Sequence, residues 1–295
     1  MRRRIYPFIL GDPGLPMRAL VLGGSGQLGL ELREVLSNYE VVWTYSSREV
    51  PGGVKLDVRD FNSLEDLVLR TRPDVVVNAA AFTDVDGCET DRERCLKVNG
   101  EAVKHLVRAA RVVEAYVVHV STDYVFDGER GNYAEEDVPN PVNYYGLSKL
   151  VGEAYALSYD DSLVVRTSGV FRHKGYVPYA LRALREGREV AAFRGYYSPI
   201  SARKLAQAVH ELVGQRRTGV LNVAGERVSR YDLAVKLKEM YGLPGKVREV
   251  QDVQGWKARR PFDSSLNSSR ARGLISVELG LEENLEDLLK VEEVR

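Results

Sequence analysis

A tyrosine four residues ahead of a lysine, Tyr145 and Lys149 in the stretch YYGLSKL (144–150), is the pair in this sequence best suited to proton transfer at a carbonyl. On a helix that spacing stacks both side chains on one face. A phenol titrates near 10 and is a poor acid–base group at neutral pH. A lysine cation beside it favours the phenolate and is expected to lower that value. The third group is Thr122, in STDYVFDG (121–128). Its hydroxyl can hydrogen-bond the carbonyl oxygen that Tyr145 protonates, so that charge is stabilised as it develops. Y-x-x-x-K by itself occurs by chance and often means a surface pair; its meaning depends on the fold around it.

The elements that must position these groups are read from periodicity. RALVLGG (18–24), PDVVVNAAA (73–81), YVVHVS (116–121) and SLVVRTSGVF (162–171) are apolar runs of strand length. Between them lie segments of helical period, such as 26–36, 61–71 and 92–113. Strands apolar on both faces that alternate with helices predict a parallel sheet covered on both sides. The expected fold is α/β, a Rossmann-type doubly wound parallel sheet with a smaller C-terminal substrate-binding domain. Residues 1–16 read as an N-terminal extension, and 17–171, together with 201–225, as the dinucleotide-binding domain. Residues 172–200 and 226–295 read as the second domain, with Ser201 and Ser229 as helix N-caps and 243–275 as irregular chain.

LGGSGQLG (22–29) places Gly23, Gly26 and Gly29 between the first strand and the first helix. In that context glycines permit a tight turn and close approach of a pyrophosphate to helix-start amides. The second strand ends at Ser46, Ser47 and Arg48 with no acid at its tip. An arginine there suits a 2′-phosphate, so NADPH is expected over NADH. Asp57 is placed to meet an adenine edge, and Ala79, Ala80 and Ala81 to line the cofactor with small side chains.

Lys and Arg total 42 and so do Asp and Glu, so no net charge argues for a nucleic-acid partner. No apolar run reaches the length of a membrane span. IYPFIL, near the start, is too short for a signal core. These points predict a cytoplasmic protein. Cys88 and Cys95 are expected as two thiols in a reducing compartment rather than a disulfide. The acids of TDVDGCE (83–89) are expected to cap a helix, and no metal site is assigned.

Taken together, LGGSGQLG, VVNAAAFTDVDGCE (76–89), KVNGEA (97–102), STDYVFDG, NPVNYYGLSKLVGE (140–153), RTSGVF (166–171) and RRPFDSSL (259–266) resemble the extended short-chain dehydrogenase/reductases. Within them the chain is similar to the dTDP-4-dehydrorhamnose reductase family. That resemblance implies reduction of the 4-keto group of dTDP-4-dehydro-L-rhamnose by NADPH or NADH, with a Thr122–Tyr145–Lys149 triad. It implies cofactor contacts from Gln27, Leu28, Val58, Asn99, Thr167 and Ser168 in the matching stretches. On the nucleotide-sugar side it implies Thr83, Val85, Asp123, Tyr124, Val125 and Arg260, with Asp123 either orienting its loop or touching a sugar hydroxyl. Arg194 is a further candidate for a diphosphate, and a homodimer is compatible with the family. Two departures leave sugar selectivity open: Gly169 follows RTS where the family usually has an aromatic, and 171–201 lacks a D-Q-x-G-x-P-T run. A non-catalytic NADP-binding subunit, similar to the methionine adenosyltransferase β subunit, and a nucleotide-sugar epimerase or dehydratase remain alternatives.

Overall fold

The computed structural model describes residues 16–251 and 255–292; the N-terminal extension, residues 1–16, lies almost entirely outside them. The first half runs β1 (Arg18–Leu22), α1 (Gln27–Val35), β2 (Glu40–Tyr45), β3 (Val54–Lys55), α2 (Phe61–Thr71), β4 (Val75–Asn78), α3 (Val85–Thr90), α4 (Arg92–Leu96), α5 (Ala102–Val113) and β5 (Tyr116–Thr122). It continues with α6 (Tyr144–Leu157), β6 (Ser162–Thr167), α7 (Tyr176–Arg185), β7 (Glu189–Phe193), β8 (Tyr196–Tyr197), α8 (Ala202–Gly214) and β9 (Gly219–Asn222). The last part holds β10 (Val228–Ser229), α9 (Arg230–Tyr241), β11 (Lys246–Val250), α10 (Ser269–Arg272) and α11 (Leu281–Glu292).

Seven strands form one parallel sheet in the order β3-β2-β1-β4-β5-β6-β9. The side chains of β1 alternate: Ala19 and Val21 pack under Leu28, Leu32 and Leu205, while Leu20 and Leu22 pack under Leu64, Leu67 and Leu106. Both faces are therefore apolar, which is why the strands read as continuous rather than alternating runs. The strand order reverses direction between β1 and β4, which opens a crevice at the carboxyl edge of the sheet. Register pairs Thr122 with Thr167 at the ends of β5 and β6, so both hydroxyls reach that edge.

A second apolar cluster joins α7, β7, α9 and α11 through Leu181, Leu184, Val190, Leu233, Leu237, Leu285 and Leu288. Here the sequence reading falls short. Residues 243–275 were expected as irregular chain and 172–200 carried no element assignment, yet the first segment holds β11 and the second α7 and β7, with β7 and β11 paired in parallel. The alternation in REVAAF and KVREV is brief and half polar, and pairing between segments some 55 residues apart is invisible locally. Ala271, Ile275 and Leu279 pack against the first cluster, so the chain returns to the main sheet late. Among the described residues no helix is long and apolar enough to cross a membrane.

Cys88 and Cys95 form a disulfide, which corrects the expectation of two thiols. In a continuous helix a spacing of seven residues separates Cα atoms by roughly 10.5 Å. Here α3 stops and α4 restarts at Asp91, which caps α4 by accepting from the Arg94 amide. That break folds the two helices so that the Cα atoms lie 5.3 Å apart. Both cysteines are fully buried, and Cys95 packs against Ser148 on α6. Cys95→Ser is expected to lower unfolding free energy by about 2 kcal/mol through the lost loop constraint. Guanidinium denaturation measures this; an unchanged midpoint would show that the bridge adds nothing.

Candidate active site

Tyr145 and Lys149 occupy the first two turns of α6. Asn143 starts that helix, its side-chain oxygen accepting the Gly146 amide at 2.8 Å. Thr122 ends β5, with its hydroxyl against the Tyr145 phenol. The same hydroxyl donates to Asp123 Oδ1 at 3.1 Å and accepts the Tyr124 amide at 3.2 Å. Tyr124 packs edge-on to Tyr145, ring centres 5.9 Å apart. The structure thus brings Thr122 and Tyr145 into contact, with Lys149 one turn further along the same helix.

Their electrostatics differ from expectation. Burial pushes the Tyr145 phenol well above its ordinary value, with the Thr122 hydrogen bond opposing only part of the rise. Lys149 is 2% exposed and burial draws its ammonium down to about 8, the Glu153 carboxylate opposing. Its Nζ donates to the Val120 carbonyl at 2.7 Å rather than lying on the phenol oxygen. The lysine therefore does not pull the phenol down in this arrangement; Tyr145 stands protonated at neutral pH.

Lys149 gives a pH prediction with two opposite signs. If its charge is used in turnover, kcat should fall as pH rises through about 8. Stability moves the other way: the unfolded chain holds that proton up to about 10.5, so between about 8 and 10.5 it binds more protons than the folded one, and folding gains as pH rises. Rate profiles and thermal unfolding over that window check both; a kcat flat to pH 10 would remove Lys149 charge from the rate.

The remaining candidates divide into those left open to the crevice and those already engaged. Gly23, Gly26 and Gly29 wrap the turn after β1. A Cβ on Gly29 would sit 2.4 Å from the Gly23 carbonyl, so the turn needs glycine there, whereas one on Gly26 would meet only that carbonyl, at 3.2 Å. Ser46, Ser47 and Arg48 are exposed at the tip of β2, and Arg48 donates to the Ser25 carbonyl of the glycine turn. Ala79, Ala80 and Ala81 follow β4, partly buried, and Thr83 and Val85 precede and open α3. Thr167 Oγ1 is buried at the end of β6 with no hydrogen-bond partner. An orphaned hydroxyl at the crevice and a turn that requires glycine both fit a dinucleotide.

Several expected contacts are otherwise occupied. Gln27 Oε1 accepts the amides of Arg172, His173 and Lys174, and its Nε2 donates to the Val170 carbonyl, so it ties the glycine turn to the 170–174 segment. Leu28 is core, and Val58 packs on the α2 side. Asp57 is held by Arg59 Nε at 2.9 Å, which keeps its carboxyl below the usual range. Asn99 lies in a π-helical turn (97–101), fully buried, and clamps Phe82 in both directions at 2.8 and 3.0 Å. It also donates to Ser148 at 3.0 Å, so it shapes the site through α6. Val125 is fully buried among Phe126, Tyr133 and Leu266 and shows the crevice no side chain.

Asp123 orients its loop. It is buried, and it accepts from Thr122, from Ser168 at 2.8 Å and from Ser264 at 2.5 Å, so Ser168 is engaged too. Arg260 pairs with Asp86 at 3.0 Å and Arg194 with Glu249 at 2.8 Å, which uses both expected phosphate contacts on carboxylates. Arg230 reaches the site without having been anticipated: it hydrogen-bonds the Tyr124 phenol. Locally, SRYD (229–232) shows only an N-cap, so no sequence signal marked it.

Known proteins place this geometry. The family model for the RmlD substrate binding domain matches residues 17–293. The chain is 33% identical over 259 residues to the spore coat polysaccharide biosynthesis protein SpsK of Bacillus subtilis, covering 85% of this chain and 89% of that one. It is 32% identical over 274 residues to dTDP-4-dehydrorhamnose reductase of Escherichia coli, covering 86% and 90%. A crystal structure of a hypothetical dTDP-4-dehydrorhamnose reductase from Sulfolobus tokodaii is 58% identical, with TM-score 0.88 over 90% of this chain and 98% of that one. The dTDP-4-dehydrorhamnose reductase of Bacillus anthracis, solved with NADP, is 26% identical with TM-score 0.84 over 94% and 99%. With glycine turn, strand order and Thr–Tyr–Lys cluster in place, the chain belongs to the RmlD substrate binding domain family, a family of NAD(P)-dependent oxidoreductases.

Proposed function

We propose that the chain reduces the 4-keto group of dTDP-4-dehydro-L-rhamnose to give dTDP-L-rhamnose. The observation that carries the reading is the convergence of Thr122, Tyr145 and Lys149 at the carboxyl edge of the sheet, beside the glycine turn. The names of the relatives in Escherichia coli and Bacillus anthracis support the substrate class. Gly23, Gly26, Gly29, Ser46, Ser47, Arg48 and Thr167 are the residues that would hold the dinucleotide, and Arg48 favours NADPH over NADH. Thr83, Val85 and Tyr124 would flank the sugar. Residues 172–200 and 226–295 would supply most of the substrate side.

A bound reduced nicotinamide supplies hydride to the carbonyl carbon. Tyr145, kept protonated by burial, gives its proton to the carbonyl oxygen. The Thr122 hydroxyl, turning its one O–H from Asp123 to that oxygen, donates a hydrogen bond to it as negative charge gathers there. The Lys149 cation offsets the phenolate left behind. The reading carries with it a cytoplasmic site of action and a homodimer; light scattering on the purified chain checks the second.

The test is a steady-state assay with the dTDP keto sugar and each coenzyme. One NADPH oxidised per sugar reduced, with a lower KM for NADPH than for NADH, is the expected result. A folded chain that interconverts sugars without net coenzyme consumption, or does no chemistry and co-purifies with another enzyme, would replace this reading with one of its rivals.

A further inference from the structure

Gly169 has φ +50°, and the space a side chain would need there is filled: its Cβ would lie 2.6 Å from Tyr197 Cε2. The Tyr197 ring thus comes from β8 to sit directly after β6, at the carboxyl edge of the sheet. Tyr197 is 5% exposed, and its hydroxyl is buried with no hydrogen-bond partner. The Arg230 guanidinium lies over the Tyr197 ring at 4.8 Å and over Tyr176 at 5.8 Å, and it bonds the Tyr124 phenol. The Tyr176 hydroxyl in turn donates to the Arg230 carbonyl at 2.9 Å and fixes the backbone there.

What sets Arg230 apart is its counter-charge. Arg194, Arg227 and Arg260, its neighbours in the late segments, each pair with a carboxylate at 3.0 Å or less. No carboxylate within ion-pair distance of Arg230 is found among the described residues; its partners are three tyrosines. Asp123, the acid that feels it, already accepts three hydroxyls. A guanidinium stacked on aromatic faces keeps its donor fork free for an oxyanion. Tyr197 adds an uncommitted hydroxyl at the same place.

We infer that Arg230 binds the diphosphate of the nucleotide-sugar substrate, with Tyr197 as a neighbouring donor, making the pair a specificity element of the substrate side. The inference rests on the nucleotide-sugar reading but not on which reaction follows. Arg230 holds the linker between nucleotide and sugar from the cluster it forms with Tyr124, Tyr176 and Tyr197. Tyr197 and Gly169 act as one unit, since a side chain at 169 would expel the ring.

Calorimetry on the full chain, with dTDP, UDP and the free nucleosides as probes, tests this. Wild type should bind at least one nucleoside diphosphate well above its nucleoside. Arg230→Gln should weaken diphosphate binding roughly 10- to 100-fold, the range of a hydrogen bond to a charged group, and leave nucleoside binding unchanged. Arg230→Lys should recover part of the loss, because charge returns without the fork. Tyr197→Phe should lose a smaller factor while keeping the ring. In turnover, KM for the keto sugar should rise by more than kcat falls. Equal wild-type affinity for nucleoside and diphosphate overturns the inference without any variant, as does undiminished diphosphate binding in either Arg230 variant. Absence of NADPH oxidation alongside Arg230-dependent diphosphate binding would instead remove the reductase reading and leave this one standing.

Discussion

Tyr145→Phe is expected to lose between about 10² and 10⁴ in kcat while NADPH affinity changes less than threefold. The variant removes one oxygen and keeps the ring that packs edge-on to Tyr124. No partner is stranded, because the Thr122 hydroxyl retains Asp123 and the Tyr124 amide. The loss therefore reads proton delivery rather than a collapsed pocket. Without an acid in place, charge on the carbonyl oxygen is met only by the Thr122 hydroxyl, which must turn from Asp123 to reach it. Single-turnover rates with bound NADPH would separate the chemical step from release. A variant within threefold of wild type would mean that the proton comes from elsewhere.

The second large effect is on stability. Glu153→Ala is expected to lower the unfolding free energy by roughly 3–5 kcal/mol. Glu153 stands one turn after Lys149 on α6 and receives Arg166 of β6 through two donors, Nε at 3.0 Å and Nη2 at 2.7 Å. The side chains are 4% and 2% exposed. Removing the carboxylate leaves a guanidinium in the interior that still donates to the Glu135 carbonyl at 3.3 Å, and it strips Ser121 of its bond at 2.6 Å. An Arg166→Met, Glu153→Leu double variant should regain much of the loss, since a well-packed apolar pair avoids the desolvation cost. Denaturation midpoints decide it; a loss under 1 kcal/mol for the single variant would show that water reaches Arg166. Because Ser121 precedes Thr122, the same variant should also slow turnover.

The two predictions differ in how much the sequence could say about them. Tyr145, Lys149 and Thr122 were legible because each lies in a short motif with a local reason: i, i+4 stacking on a helix, and a hydroxyl at the end of an apolar strand. The glycine turn was legible for the same reason. Glu153 and Arg166 were not, since neither spacing nor composition says that a charge on α6 meets one on β6. Gln27 and Asn99 show the converse case. Their motifs were recognised, but tertiary contacts commit their amides to the 170–174 segment and to Phe82. The cysteine expectation failed because it was argued from compartment, whereas the break at Asp91 decided the distance.

The apolar periodicity of this chain determined a doubly wound parallel sheet, since each strand buried on both faces must be continuous in sequence, and it placed the reactive edge at the strand ends. Tertiary structure alone decided which charges are spent and which are free. Arg194 and Arg260 found carboxylates on segments about 55 and 174 residues away, Arg230 found three tyrosines and, among the described residues, no carboxylate, and Lys149 lost part of its basicity to burial. Those outcomes depend on distances between side chains remote in sequence and on how much water each retains, and neither quantity is written in local pattern.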